Sequence, residues 1–338
     1  MASSDTRHDE LEDVFIAVTG LTGAGKSEFI SLCVGQDAGI GHGLESGQSC
    51  SSKHKLAYRR ANTFYISETF DVQERTFDWN DKLRIHLIDT PGFNDTHRQD
   101  VDILREIAGY MVATYNDNVR LSGMIYLFSI NHRRIGGSAL RNMKMFKDLV
   151  GQDGFPGIIL ATTMWDTLED KSLGEQREQE LVSKQSFWGG MVERGSRVMR
   201  HTRTRESAMT ILEAIITRKH PFALKIQEEM VEENLVLHDT AAGKQVNQDL
   251  LELQQKYQKE LDALKRDMIE ADSDAQKEIS RLMQQHRLDL ENIDTDRHRL
   301  EVDMANLEAE RTRELESLQE KLDARERKLS EKDQKIRG

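Results

Sequence analysis

Residues 14–30 prescribe a strand, a tight glycine-rich turn and a helix in immediate succession. Val14-Phe15-Ile16-Ala17-Val18-Thr19 is a short apolar run rich in β-branched residues, and Lys26-Ser27-Glu28-Phe29-Ile30 opens a helix. Between them, Gly20-Leu21-Thr22-Gly23-Ala24-Gly25-Lys26-Ser27 fits G-x-x-x-x-G-K-[ST] without a mismatch. The spacing has a physical reason. Glycines let successive backbone N–H groups turn inward and cradle phosphate oxygens, and the helix N-terminus adds a favourable dipole. Lys26 places a cation on the β- and γ-phosphates, and Ser27 offers a hydroxyl to Mg2+. Gly20, Gly23, Ala24, Gly25, Lys26 and Ser27 are therefore candidate phosphate-binding residues.

The rest of the first two-thirds alternates strands and helices. Strands are expected at 83–88, ending at Asp89, and at 123–128, 158–161 and 197–200. Residues 70–79 read as an antiparallel neighbour of 83–88, turned by Asn80-Asp81. Helices are expected at 101–115, 138–150, 174–187 and 208–217. This alternation implies an α/β fold, a mostly parallel sheet covered by helices on both faces.

Composition changes after Phe222. Glycine nearly vanishes, proline is absent, and Glu, Lys, Arg, Gln, Asp and Leu dominate, as in a long helix or coiled coil. Leu250, Leu253, Tyr257 and Leu264 approximate an a/d pattern, as do Ile293, Leu300 and Leu307, then Leu315, Leu318, Leu322 and Leu329. The register slips between these blocks, as in a stuttered coil; a solvated single helix or a partly disordered tail is the alternative. The expected division is a disordered segment 1–11, a nucleotide-binding domain 12–220 and a helical coiled-coil region 221–338.

A net charge of −12 argues against a general nucleic-acid binder. Cys33 and Cys50 are the only cysteines, which fits a reducing, cytoplasmic setting. The polar N-terminus has no apolar segment of signal-peptide type, and no apolar stretch is long enough to span a membrane.

Asp89-Thr90-Pro91-Gly92 stands directly after a strand. A carboxylate there can hold magnesium through water, and the Gly92 N–H can approach a γ-phosphate. The run Leu87-Ile88-Asp89-Thr90-Pro91-Gly92-Phe93-Asn94-Asp95-Thr96 resembles the septin-like and immune-associated (GIMAP-like) branch of the P-loop GTPases. Within that branch the pattern is similar to fungal proteins whose G domain leads into a coiled coil. The resemblance covers about residues 12–220. It implies a Mg2+-dependent GTP-binding G domain that hydrolyses GTP slowly to GDP, with homodimerisation through the G domain, the coiled coil or both.

The resemblance also implies a base-reading motif of Asn-Lys-x-Asp type, matched here by Thr163-Met164-Trp165-Asp166. Asp166 would accept from guanine N1 and N2; capping of the next helix is the alternative. Thr163 replaces Asn, which the branch tolerates. Met164 replaces Lys and removes an aliphatic cover for the base. Trp165 either stacks nearby or, as favoured, belongs to the core. Glu206-Ser207-Ala208 matches the last motif of the family, in which an N–H near the alanine meets guanine O6; helix N-capping by Ser207 is an equal alternative.

The resemblance finally asks for a switch threonine that joins Mg2+ and contributes to catalysis. Thr69 has the right distance from Asp89 but lies far from Ser27. Joining Ser46 to Glu68-Thr69 restores the family's Leu-x-Ser-x-Thr pattern, so residues 47–67 read as an insertion, either a lid or a stretch foreign to the functional chain. Ser49 or Ser51 is the rival metal ligand. Phe93 stands where many GTPases place the water-orienting glutamine. His132, Arg133 and Arg134 either reach a phosphate or form a solvated basic loop.

Overall fold

The computed structural model describes residues 11–35, 72–92, 100–132, 135–218, 221–270, 272–310 and 312–313. Thr69, Ser46, Ser49, Ser51, the insertion 47–67, Phe93, Arg133, Arg134, the segment 1–10 and the tail beyond residue 313 lie outside them.

Six strands form one sheet: β1 (Glu12–Gly20), β2 (Gln73–Asn80), β3 (Leu83–Asp89), β4 (Leu121–Ser129), β5 (Ile158–Thr163) and β6 (Arg197–Arg200), in the order β2-β3-β1-β4-β5-β6. All neighbours are parallel except β2, which runs antiparallel to β3. This is the expected α/β arrangement. The helices are α1 (Lys26–Val34), α2 (Asp100–Asn116), α3 (Gly137–Val150), α4 (Lys171–Ser183), α5 (Gly189–Glu193) and α6 (Arg205–Ile216). The single turn α7 (Lys225–Gln227) and the long helices α8 (Ala241–Glu270) and α9 (Ser273–Arg299) follow. Asp170 caps α4 through the Ser172 N–H, so that helix starts three residues before the expected Gly174.

Strand alternation sends side chains to two cores. Ile16, Val18, Ile85, Leu87, Ile125 and Leu127 pack with Phe29, Ile211 and Leu212 under α1 and α6. Phe15, Ala17, Met124, Tyr126 and Phe128 face α2 and α3 on the other side. Full burial of each large side chain contributes on the order of 2 kcal/mol.

The second core does not stop at Pro221, where the composition changes. Leu224, Ile226, Met230, Leu237, Val246 and Leu300 belong to it. The buried Gln227 amide donates to Met111 O of α2 at 2.6 Å and accepts from Leu224 N at 2.8 Å. Residues 237–238 bond to the backbone of 300–302 through Leu237 N to Val302 O (2.8 Å) and His238 N to Leu300 O (2.9 Å). The boundary expected at 220/221 is thus one of composition, and apolar packing runs across it.

Beyond this base, α8 and α9 lie antiparallel. Gln254 meets Asp294 at 3.1 Å, and Tyr257 lies against His286 with ring centroids 5.2 Å apart. Tyr257 of the heptad pattern thus packs on α9 of the same chain, while Leu253 stays exposed. No helix among the described residues is long and apolar enough to cross a membrane.

Candidate functional site

The carboxyl ends of β1, β3, β5 and β6 converge on the turn between β1 and α1. In an open α/β sheet, ligands bind at such a crevice. Gly23 and Gly25 have φ of 79° and 92°, the left-handed region that glycine enters without steric cost. Gly25 precedes α1 with no side-chain cap. A helix N-terminus without a side-chain cap, opened by such a turn, is a geometry that a phosphate fits. Ala24 donates its N–H to Leu21 O at 3.1 Å, which closes the turn.

Lys26 Nζ lies 3.4 Å from the carbonyls of Gly20 and Leu21. It also lies beside Gly92, where an added Cβ would stand 2.6 Å from Nζ and 2.7 Å from Thr22 Oγ1. A Cβ here would displace the Lys26 ammonium and press on Thr22 Cα at 3.1 Å, so the β3 exit approaches the turn closely at Gly92. Two segments far apart in sequence are therefore brought together. The register explains the approach: Val18 pairs with Asp89, and Thr90 bonds Val18 O through both its N–H and its hydroxyl at 3.1 Å. Asp89 ends half-buried next to the exit of β1, and Ser27 is exposed at the start of α1. A hydroxyl and a carboxylate at this crevice are hard oxygen donors of the kind Mg2+ takes, and they fit the ion.

Thr163, at the end of β5, donates its hydroxyl to Ala24 O at 2.8 Å. Its role is to fix the turn from behind. Met164 has φ 62°, and its Cε lies 3.4 Å from where a Cβ on Gly25 would sit. The methionine side chain thus lies against the turn at Gly25. Trp165 is core: it is buried, donates Nε1–H to Thr162 Oγ1 at 3.0 Å and carries the Arg200 guanidinium 4.1 Å above its ring.

Asp166 is exposed and does not cap α4, a role Asp170 takes. Its carboxylate pairs with Arg203 at 3.0 Å. The last motif is displaced. Thr204, not Ser207, caps α6. The Ser207 N–H is bonded to Thr204 Oγ1 at 3.2 Å and that of Ala208 to Thr204 O at 3.1 Å. Both amides are used within the helix, and Ala208 is fully buried, so donors to a base at Asp166 would have to come from the loop before α6. There Ser207 Oγ accepts from Thr202 N at 3.2 Å and contacts His201 Nδ1 at 2.9 Å. Burial holds the His201 imidazole below its ordinary pKa, hence neutral.

His132 is exposed and donates Nδ1–H to Ser129 O at 3.0 Å. Arg203 escaped the sequence reading because it belongs to no motif. Met164 was visible as a departure, but its packing on Gly25 needs the left-handed turn to be seen.

No family model matches the chain, and no curated protein matches it. Solved structures do. Toc33 from Arabidopsis thaliana in complex with Mg2+ and GMPPNP is similar at 13% identity and TM-score 0.44, covering 63% of this chain and 89% of that one. Translation elongation factor SelB from Methanococcus maripaludis, with GPPNHP, gives 13% identity and TM-score 0.37 over 63% of this chain and 34% of its own. The G domain of the T. maritima FeoB iron transporter gives 14% identity and TM-score 0.35 over 62% and 99%. At such identities and TM-scores these likenesses add nothing to the reading of the site, which rests on its own geometry.

Proposed function

We propose that the chain binds guanine nucleotide with Mg2+ and hydrolyses GTP slowly to GDP and phosphate, as a switch or assembly GTPase of the septin-like and immune-associated kind. The observation that carries this reading is the meeting of Lys26 with Gly92 at the uncapped N-terminus of α1. Lys26 and the amides of Gly23 and Gly25 hold phosphate, while the Ala24 N–H, bonded to Leu21 O, keeps the turn closed. Ser27, Thr69 and, through water, Asp89 serve the metal, which neutralises developing phosphate charge. Gly92 offers its N–H toward the γ-phosphate, and Asp166 reads the base. The chemistry is positioning and electrostatics. Phe93 cannot orient a water, so turnover is slow without help from elsewhere.

Calorimetry with Mg2+-GTP tests the reading. Lys26→Ala should abolish binding or weaken it severely, because a charge-assisted contact in a partly dry site is lost. Unchanged affinity in this variant ends the GTPase reading.

Phe93 also favours a second reading, in which nucleotide supports pairing of two G domains and turnover is negligible. Multiple-turnover phosphate release separates the two. Steady release supports the switch; co-purified nucleotide without turnover supports the scaffold.

A further inference from the structure

Arg203 is one of four non-glycine residues at positive φ among those described, at 59°. L residues adopt this region sparingly, and here it aims the side chain back across the site. The guanidinium forks. Nε donates to Glu28 Oε1 at 2.8 Å, in the first turn of α1, and a terminal nitrogen donates to Asp166 Oδ2 at 3.0 Å. Among the described residues, Asp166 has no other hydrogen-bond partner.

We propose that Arg203 is an internal competitor of the nucleotide base. This rests on the reading of Asp166 as the base-reading carboxylate. Guanine would engage both oxygens of Asp166 in the carboxylate plane, through N1–H and N2–H. The Arg203 guanidinium already takes Oδ2 from a planar fork of the same donor type. Binding therefore exchanges one fork for another. Glu28 keeps hold of the displaced guanidinium, so the exchange breaks one limb of the strap and leaves the other. The strap lowers affinity for guanine nucleotides and leaves adenine nucleotides unaffected, since adenine presents no N1 donor to Asp166. Both partners are partly exposed, with side chains 37% and 47% accessible, so the effect is modest.

The test is titration of the full chain with GDP and with ADP in the presence of Mg2+, comparing wild type, Arg203→Gly and Arg203→Lys. Glycine keeps the backbone at positive φ, and a thermal melt checks that the variants fold. Arg203→Gly should bind GDP about threefold more tightly, the scale of an exposed ion pair. ADP affinity should not move. Lysine, a point charge without the fork, should fall between. The gain should shrink at high salt, where the wild-type pair is already screened. Equal or weaker GDP binding by Arg203→Gly overturns the competitor and leaves the GTPase reading standing. A gain shared equally by ADP also overturns it, since the effect would then not pass through Asp166. Failure of every variant and of wild type to bind GDP overturns both readings.

Discussion

The Thr163 hydroxyl donates to the Ala24 carbonyl at 2.8 Å, fully buried, joining the end of β5 to the turn between β1 and α1. Of the four residues 163–166, the first thus ties the β1–α1 turn and the last pairs with Arg203. Thr163→Val keeps the shape and removes the donor. Stability should fall by about 1–2 kcal/mol, as for a buried carbonyl left unpaired, and GTP affinity should fall with it as the turn loosens. A urea melt and a GTP titration check this. An unchanged melt shows that the turn holds without the bond.

Asp166→Asn should move affinity from GTP toward XTP, because the amide presents a donor where the base of xanthosine carries an oxygen. Competition binding with both nucleotides reads the switch. Wild type that binds ATP as well as GTP would sink the assignment of Asp166.

His86 is buried between Glu74 Oε1 at 2.5 Å and Asp13 Oδ1 at 2.9 Å, and stacks on Phe15 with centroids 4.4 Å apart. Burial opposes its charge, yet the hydrogen bonds and negative charges of Glu74 and Asp13 outweigh it, and the imidazole titrates above its ordinary value of 6.5. Below pH 6.5 the proton is held in both the folded and unfolded chain, and the paired imidazolium contributes its full stability. As pH rises through the folded pKa that contribution is lost. The urea midpoint should therefore fall as pH rises from 6.5 through the folded pKa, and His86→Gln should flatten this slope. A wild-type midpoint that is flat or rises over that range contradicts the pairing.

Cutting the chain after Pro221 should not release a stable domain. It would strip Leu224, Ile226, Leu237, Val246 and Leu300 from the core that covers α2 and α3. Within the full chain, Gln227→Leu should cost about 2 kcal/mol, since Met111 O and Leu224 N both lose their partner. Deleting matched distal turns of α8 and α9 should be tolerated, since these are mostly exposed. Thermal melts of the three variants rank them. A soluble 1–221 fragment that melts like the full chain would show that the C-terminal packing is dispensable.

The strand–turn–helix at 12–34, the antiparallel β2–β3 pair and the order of strands and helices follow from local signals. Apolar periods, Asn80-Asp81 and the phosphate-loop glycines act within a few residues, so they are legible in a single chain. The pairing of Lys26 with Gly92 was legible too, because each belongs to a motif of fixed spacing. The sequence could not say which residue caps α6. Thr204 and Ser207 are both good caps, and tertiary packing around His201 placed Ser207 inside the helix. Nor could it say what the heptads after Pro221 would meet. An apolar seam attracts another helix whether that helix comes from the same chain or a second one. Here the anchoring of residues 237–238 on 300–302 brings the end of α9 back to the start of α8. Arg203 is the clearest case of tertiary decision: it has no motif and no periodic place, and only the folding of β6 and α6 beside α1 brings its charge between Glu28 and Asp166.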